Sequence, residues 1–325
     1  MRGLIIGFGQ DAKLLAIALQ KKGIDYKILS KPSTVLTPFI PDLIKKKHLL
    51  YGDGTDLRCL LEYCKKYKFT HIYNVAGNTF SQSSNTNFYQ YLNSNTQILT
   101  NIIAIAENNK NLWVYHPLSS EILASNTHKN LIQPRNAYGV SKTAEYYIST
   151  VANANGANIF YPILFNHESF FRSKKFFTSK LISFLIERQD RVLEIWNTSS
   201  CRDWGSASQY MDLILSASIK NKTGFGHLGT SKMYTVAEIV KFCLKHLKIK
   251  YKEGKTKQNL IYWKLEDGRS IIEKDRDIDD AKRVVKANTK EVNQAFGKHK
   301  LIHGQELINI LFKEYNTFKS LKSEM

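Results

Sequence analysis

Short strand-like runs alternate with helical stretches throughout the first half of the chain. The runs occupy residues 3–7, 26–29, 49–51, 72–75, 112–115 and 158–163. Strands separated by helices pair in parallel, because a parallel pair needs a long crossover connection. A parallel sheet in turn needs helices on both of its faces. The sequence therefore predicts an α/β fold with a doubly wound parallel sheet.

The rhythm changes after about residue 166, where longer helical segments prevail. These segments cover residues 180–188, 236–247 and 305–318. The boundary has no Gly/Ser-rich linker, so we expect a second lobe rather than a tethered module. We assign residues 1–165, with return segments near 200–235, to the first domain. Residues 166–325 are assigned to a smaller, mainly C-terminal lobe.

Two glycines open the first predicted helix directly after the first strand. The chain carries Gly7-x-Gly9-x-x-Ala12, in the strand–turn–helix context of a Rossmann-type dinucleotide-binding domain. The glycines permit a tight turn and close approach of a pyrophosphate, and the helix N-terminus offers N–H groups and partial positive charge. The alternative is an ordinary turn. The predicted cofactor site contains Gly7, Gly9, Gln10, Asp11 and, after the strand at 72–75, Ala76.

The end of the second strand indicates which dinucleotide is bound. NAD-specific folds carry Asp or Glu there to bind the ribose hydroxyls, whereas this chain has Ser30-Lys31-Pro32-Ser33. A lysine suits a 2′-phosphate, so Lys31 favours NADP over NAD as the cofactor. Asp53 follows the third strand and could accept a hydrogen bond from the adenine amino group. The alternative for Asp53 is a capping role.

Tyr138 and Lys142 stand four residues apart, on one face of a predicted helix. A nearby ammonium favours the phenolate, so we expect Lys142 to lower the pKa of Tyr138 and make it a base toward a substrate hydroxyl. The same spacing is common on solvated helix faces and gains meaning only with partners. Ser119 and Glu121 follow the strand at 112–115, where an open parallel sheet places its ligands. The alternative for Glu121 is an N-cap.

Five further segments are distinctive. They read Tyr-Gly-Asp-Gly-Thr-Asp (51–56), Ser-Ser-Glu (119–121), Pro-Arg-Asn-Ala-Tyr (134–138), Ile-Leu-Phe-Asn-His-Glu-Ser (163–169) and Arg-Asp-Trp-Gly (202–205). With these segments the chain resembles an extended short-chain dehydrogenase/reductase and, within that superfamily, the GDP-mannose 4,6-dehydratase family. The resemblance implies NADP as the cofactor and conversion of GDP-mannose or a related GDP-sugar to its 4-keto-6-deoxy form. It also implies a homo-oligomer, either a dimer or a tetramer.

The resemblance assigns roles to individual residues. The catalytic positions of the family match Ser119, Glu121, Tyr138 and Lys142, of which the last two also contact the cofactor. The positions that bind the substrate pyrophosphate match Asn166, Lys180, Arg202 and Arg276. In this chemistry C4 is oxidised, Glu121 removes the C5 proton and water leaves from C6. A keto-sugar reductase or epimerase of the same superfamily is the alternative, although neither needs a carboxylate at C5.

The formal net charge of +19 arises from 47 Lys and Arg against 28 Asp and Glu, and it raises the question of a nucleic-acid partner. Only 10 of the 47 are Arg, the residue that nucleic-acid readers concentrate at their contacts. The dispersed lysines therefore indicate a solvated surface, and we expect no nucleic-acid partner. The densest basic stretch, residues 241–257, leaves open a non-catalytic protein that binds RNA or anionic lipid.

Cysteine usage and polarity bear on the compartment. The cysteines are Cys59, Cys64, Cys201 and Cys243, with no C-x-x-C pair and no histidines at zinc spacing, so we expect neither disulfides nor a metal site. Residues 72–106 lack charged side chains but are rich in Asn, Ser, Thr and Gln, which excludes a membrane span. Without the pattern of a secretory leader, we expect a cytoplasmic enzyme.

Overall fold

The computed structural model describes residues 1–32, 44–78, 88–124, 132–188, 190–275 and 283–323. The chain divides into two compact units. Unit 1 consists of Met1–Phe165, Ala207–Leu228 and Asn288–His299, and unit 2 consists of Asn166–Ser206, Gly229–Ala287 and Lys300–Met325. The chain thus returns to unit 1 twice after residue 165. The second return, at residues 288–299, was not anticipated from the sequence.

The strands and helices of the described residues follow in chain order. The strands are β1 (Arg2–Ile6), β2 (Asp25–Ser30), β3 (Leu49–Tyr51), β4 (His71–Asn74), β5 (Trp113–Tyr115), β6 (Leu118–Ser119), β7 (Asn158–Leu164), β8 (Asn166–Glu168), β9 (Val192–Ile195), β10 (Cys201–Ser206), β11 (Gly224–Leu228), β12 (Met233–Thr235), β13 (Tyr251–Lys255), β14 (Ile261–Leu265) and β15 (Ser270–Glu273). The helices are α1 (Gln10–Lys21), α2 (Leu57–Tyr67), α3 (Phe88–Glu107), α4 (Ala137–Ala154), α5 (Phe177–Glu187), α6 (Ala207–Ile219), α7 (Val236–His246), α8 (Thr289–Phe296) and α9 (Gly304–Ser323). Within the described ranges, no helix combines the length and the apolar character that a bilayer crossing requires.

Unit 1 is built on a parallel sheet with the strand order β11-β7-β5-β4-β1-β2-β3, in which β6 also pairs with β7. The central strands are largely buried; Leu4 and Ile5 of β1 have no exposed surface. The chain leaves β1 toward β2 but leaves β4 in the opposite direction, toward β5. Because such crossovers are right-handed, the helices between these strands cover opposite faces of the sheet. This arrangement confirms the predicted α/β class with a doubly wound parallel sheet.

Helix α4 is the element that links the sheet to the candidate catalytic residues. It packs against α3 and against strands β6 and β7. Its N-cap is Asn136, whose side-chain oxygen accepts a hydrogen bond from the backbone N–H of Gly139 at 2.8 Å. The cap satisfies one of the N–H groups that every helix leaves open at its start. The first turn of α4 is therefore fixed at the carboxyl edge of the sheet.

Unit 2 contains two small sheets, with the orders β13-β14-β15-β9 and β12-β10-β8. Its apolar core includes Leu181, Ile239, Trp263 and Leu307, none of which has exposed surface. The sequence predicted the helices of this unit but not the β13–β14 hairpin. Strand β13 reads Tyr-Lys-Glu-Gly-Lys and is mostly exposed, so it lacks the alternation of apolar and polar residues that reveals a half-buried strand.

Helix α8, in the second return segment, packs closely against β11 of unit 1, and substitutions can test this packing. A Cβ atom at Gly226 would lie 2.6 Å from the Cβ of Ala295. Gly226→Ala should therefore lower the free energy of unfolding by about 1–3 kcal/mol, the usual cost of overpacking. Urea denaturation of Gly226→Ala, Ala295→Gly and the double variant measures the effect. The cost of Gly226→Ala should shrink in the Ala295→Gly background, and an unchanged cost would contradict this packing.

Candidate active site

The glycine loop after β1 contacts the ends of both strands that neighbour β1 in the sheet of unit 1. Gly7 follows β1 with a φ of +111°, and its N–H donates to the carbonyl of Leu29 at 3.0 Å. A Cβ at Gly7 would lie 2.9 Å from the backbone nitrogen of Ala76, which follows β4. Both the left-handed φ and this close approach require glycine. The loop lies between β1 and β4, where the strand order reverses and doubly wound sheets bind dinucleotides.

Gly9 leaves the start of α1 open. It is the N-cap residue of this helix and provides no side-chain cap, and a Cβ added to it would meet no atom within 4 Å. Gln10 and Asp11 form the first turn, where the Gln10 side-chain amide donates to Asp11 Oδ1 at 3.2 Å. A small residue at an open helix start suits a pyrophosphate, which the N–H groups and the helix dipole attract. The predicted cofactor residues Gly7, Gly9 and Ala76 thus lie together.

Lys31 and Asp53, for which the sequence predicted separate roles, form an ion pair. Lys31 Nζ lies 2.9 Å from Asp53 Oδ2, and the two side chains are 55% and 39% exposed. Asp53 Oδ1 also accepts a hydrogen bond from the Thr55 N–H at 3.0 Å. Burial raises the pKa of Asp53, but the hydrogen bonds from Thr55 and the Lys31 ammonium together outweigh burial and lower it. Asp53 thus stabilises the turn at Thr55 but caps no helix, because the N-cap of α2 is Asp56.

Ser119 and Glu121 lie next to the first turn of α4. Residues 120–122 form a 3₁₀ turn that Ser119 caps, its Oγ accepting from the Glu121 N–H at 3.3 Å. Glu121 therefore lies inside the turn and is not an N-cap, which contradicts the alternative interpretation. A Cβ at Gly139 would lie 2.9 Å from the carbonyl oxygen of Glu121, so glycine is what allows α4 to approach this turn. The Asn136 side-chain amide lies 3.5 Å from Glu121 Oε2.

Tyr138 is buried, with 8% of its surface exposed, and its phenol lies beside the Ser119 side chain. Burial is the largest influence on the phenol and raises the pKa of Tyr138. The Lys142 ammonium and the Ser119 hydrogen bond lower it, whereas the carboxylates of Glu145 and Glu121 raise it further. The sequence-based expectation of a lowered pKa is therefore wrong, because that expectation considered the ammonium and left out burial and the two carboxylates.

Lys142 is buried more deeply than Tyr138. Its Nζ donates to the carbonyl of Pro117 at 3.0 Å and lies 2.7 Å from Glu145 Oε2. Burial lowers the pKa of Lys142, but Glu145 and, to a smaller extent, the nearby Tyr138 raise it above the ordinary value. The lysine is thus held as a buried cation by a carboxylate three residues further along the same helix.

The residues behind Lys142 were not predicted from the sequence. His116 Nε2 lies 2.8 Å from Glu145 Oε2, and His116 Nδ1 lies 3.0 Å from the side-chain nitrogen of Asn74. His116 and Glu145 are each 1% exposed. The spacing of Lys142 and Glu145, three residues apart on a helix, could have revealed their pairing. No pattern connects His116 to them, because 29 residues separate it from Glu145.

The predicted substrate-binding residues that the structure describes all lie in unit 2. Asn166 begins β8 and pairs with Trp204 of β10, two residues beyond Arg202 on that strand. Lys180 is on α5, where its Nζ donates to the carbonyl of Glu194 at 3.1 Å. Asn166 and Arg202 therefore stand on adjacent strands. Arg276 lies outside the described residues.

A sequence model of the family described as "GDP-mannose 4,6 dehydratase" matches residues 4–309. The chain belongs to the GDP-mannose 4,6-dehydratase family. The GDP-mannose 4,6 dehydratase of Drosophila melanogaster is 30% identical over 271 residues, which are 75% of this chain and 67% of that protein. The GDP-mannose 4,6-dehydratase sdnI of Sordaria araneosa is 28% identical over 217 residues, which are 63% of this chain and 40% of that protein.

Solved structures agree with the fold of this family member. The dTDP-glucose 4,6-dehydratase of Bacillus anthracis, in complex with NAD, superposes with a TM-score of 0.76. The match covers 98% of this chain and 97% of that one at 14% sequence identity, so it supports the fold alone. A nicotinamide dinucleotide is the typical cofactor of the family, and a nucleotide sugar is the substrate that membership implies.

The two loop glycines should respond differently to a methyl group. Gly9→Ala meets no neighbouring atom, so its free energy of unfolding should stay within about 1 kcal/mol of the wild type. The methyl would nevertheless stand at the helix start that suits the pyrophosphate, and a nicotinamide dinucleotide, tested as NADPH and as NADH, should bind at least about tenfold more weakly. Gly7→Ala is the matched comparison and should lose stability as well. Urea denaturation and fluorescence titration with NADPH and NADH measure both effects; unchanged affinity for both dinucleotides in Gly9→Ala would contradict the assignment.

Proposed function

We propose that the protein is an NADP-dependent 4,6-dehydratase that converts GDP-mannose or a related GDP-sugar to its 4-keto-6-deoxy form. The observation that carries the proposal is the arrangement of Tyr138 beside Ser119, with Lys142 on the same helix and Glu121 on the adjoining turn. A phenol and a carboxylate in one site can handle the two protons that this conversion moves.

The loop after β1 and the pair at the ends of β2 and β3 are suited to the cofactor. Gly7, Gly9 and Ala76 would hold the pyrophosphate against the start of α1, and Lys31 would hold the 2′-phosphate. A bound nicotinamide supplies the hydride acceptor for C4 and the hydride donor for C6, so the cofactor ends in the state in which it began.

Oxidation at C4 requires a base for the hydroxyl proton. Tyr138 takes this role, with Ser119 hydrogen-bonded to the reacting oxygens and Lys142 stabilising the phenolate. Because burial and, to a smaller extent, the carboxylates of Glu145 and Glu121 raise the pKa of Tyr138, the phenolate is a stronger base once it forms. The buried site also excludes the water that would compete for the phenol.

Loss of water requires a second proton-transfer group. A ketone at C4 acidifies the C5–H bond, and the Glu121 carboxylate removes that proton and passes a proton to the departing C6 hydroxyl. Glu121 lies beside Ser119 in the chain and within reach of Asn136, which orients its Oε2. The substrate pyrophosphate would be bound by Asn166, Lys180, Arg202 and Arg276.

The dehydratase chemistry can be dissected with two isosteric variants. Wild-type protein incubated with GDP-mannose and NADP should yield a product lighter by one water, as measured by mass spectrometry. Glu121→Gln should oxidise C4 but stall before water loss, so reduced nicotinamide absorbance appears in an amount comparable to the enzyme. Tyr138→Phe should lower kcat by about 100-fold or more, because the first proton transfer fails.

Glu107→Gln, an exposed carboxylate at the end of α3, is the matched control and should behave as the wild type. No mass change with any GDP-sugar would refute the dehydratase assignment. Stoichiometric consumption of NADPH with a keto-sugar nucleotide would favour the reductase instead.

Cofactor choice tests the role of Lys31. Lys31→Met removes the cation for the 2′-phosphate and leaves Asp53 without its ion-pair partner. NADPH should bind about tenfold or more weakly, the loss expected for one charge-assisted contact. NADH affinity should stay the same or improve, because the freed Asp53 can accept from ribose hydroxyls. Lys65→Met, an exposed lysine on α2, is the control; equal losses for both dinucleotides would contradict NADP selection by Lys31.

A further inference from the structure

We propose that Glu145 is a positioning residue for Lys142: its carboxylate, anchored by His116, holds the lysine ammonium charged and fixed on the helix face that carries Tyr138. The inference rests on the proposed function, in which Lys142 assists proton removal by Tyr138. It adds a buried ion pair to the Tyr–Lys arrangement.

One carboxylate oxygen receives both donors. Glu145 Oε2 lies 2.7 Å from Lys142 Nζ and 2.8 Å from His116 Nε2. The side chains of Lys142, Glu145 and His116 are 5%, 1% and 1% exposed. A charge so deeply buried is tolerated only when it is paired and hydrogen-bonded. Lys142 meets that condition through Glu145 and the carbonyl of Pro117.

The hydrogen bonds around His116 define its protonation. The Asn74 side-chain amide donates to Nδ1, so the ring proton is on Nε2 and points at Glu145. Burial, the largest influence, lowers the pKa of His116, although Glu145 opposes this effect. His116 is therefore a neutral donor, and the buried group contains one cation, Lys142, and one anion, Glu145. The charges balance, and the histidine orients the carboxylate.

The titratable groups around Lys142 and Tyr138 lie on three parts of unit 1. Tyr138 and Glu145 are on its own helix, His116 follows β5, and Glu121 on the 3₁₀ turn acts on the neighbouring phenol. Burial lowers the pKa of Lys142, and Glu145 is the strongest influence that raises it. Without the carboxylate, burial prevails and the ammonium releases its proton at a lower pH. A neutral lysine no longer stabilises the phenolate of Tyr138.

Glu145→Gln removes the charge and places an amide nitrogen where the buried Oε1 has no hydrogen-bond partner. Because both donors share Oε2, a glutamine oxygen in the same place accepts from both Lys142 and His116. The pH profile of kcat/KM for GDP-mannose should then acquire a falling limb at high pH, below the ordinary lysine pKa of about 10.4. The wild type should show no such limb in that range. Glu145→Asp, which keeps the carboxylate, should resemble the wild type.

A second readout does not need turnover. The unfolded chain holds the Lys142 proton up to a pKa of about 10.4, whereas folded Glu145→Gln releases it at a lower pH. The unfolded state then binds more protons, so the free energy of unfolding of the variant rises with pH relative to the wild type. In the wild type the pKa of Lys142 is raised instead, so this group gives no such rise below its ordinary pKa. The Lys142→Met/Glu145→Gln double variant should show no rise either.

Urea denaturation between about pH 7 and 10, below the ordinary lysine pKa, measures this difference. Glu145→Gln with the wild-type pH dependence of both kcat/KM and unfolding overturns the inference. If the single variant does not fold, folding of the double variant supports the ion pair, since removing both charges is less costly than removing one; failure of both contradicts it. If the wild type converts no GDP-sugar, the proposed function fails, and the unfolding data still decide whether Glu145 holds Lys142 charged.

Discussion

A lysine ammonium with almost no exposed surface is the constraint on which the site depends. Lys142 can be buried only because Glu145 and the carbonyl of Pro117 receive its hydrogen bonds. The contact with Glu145 holds the lysine side chain on one face of α4. The contact with the Pro117 carbonyl joins that helix to the segment between β5 and β6. Tyr138, one turn earlier on α4, is thereby held against Ser119. The position of the Tyr138 phenol, the proposed base, thus depends on the pairing of a buried charge.

The parallel sheet explains why the parts of the site meet. The segments after β1, β4 and β5 leave the same edge of the sheet, because parallel strands share their carboxyl ends. The first two form the glycine loop with Ala76, and the third carries His116, Pro117 and Ser119. The proposed cofactor loop and the proposed proton-transfer residues therefore lie at one edge of the sheet. Within unit 1 two glycines allow the backbone of another segment to approach closely: Ala76 approaches Gly7, and Glu121 approaches Gly139.

The sequence predicted features that depend on local patterns. Strand–helix alternation led to the sheet, and the Gly7–Gly9 pair and the Tyr138–Lys142 spacing were recognisable because their meaning lies within a few residues. The roles carried over by resemblance, including those of Asn166 and Arg202, stay predictions. The His116–Glu145 contact and the Lys31–Asp53 pair were not predicted, since each joins residues far apart in the chain. The direction of the pKa shift of Tyr138 was wrong because burial is a property of the folded protein. The exposed β13 strand also lacked a usable pattern.

The central claim is that one site oxidises C4 of a GDP-sugar and reduces C6 of the same molecule. The most direct measurement uses GDP-mannose carrying deuterium at C4 and locates the label in the product by NMR. The account predicts that the deuterium moves from C4 to C6 within one molecule, even when unlabelled substrate is mixed in. Deuterium released into free reduced cofactor, scrambled between molecules or retained at C4 would contradict it.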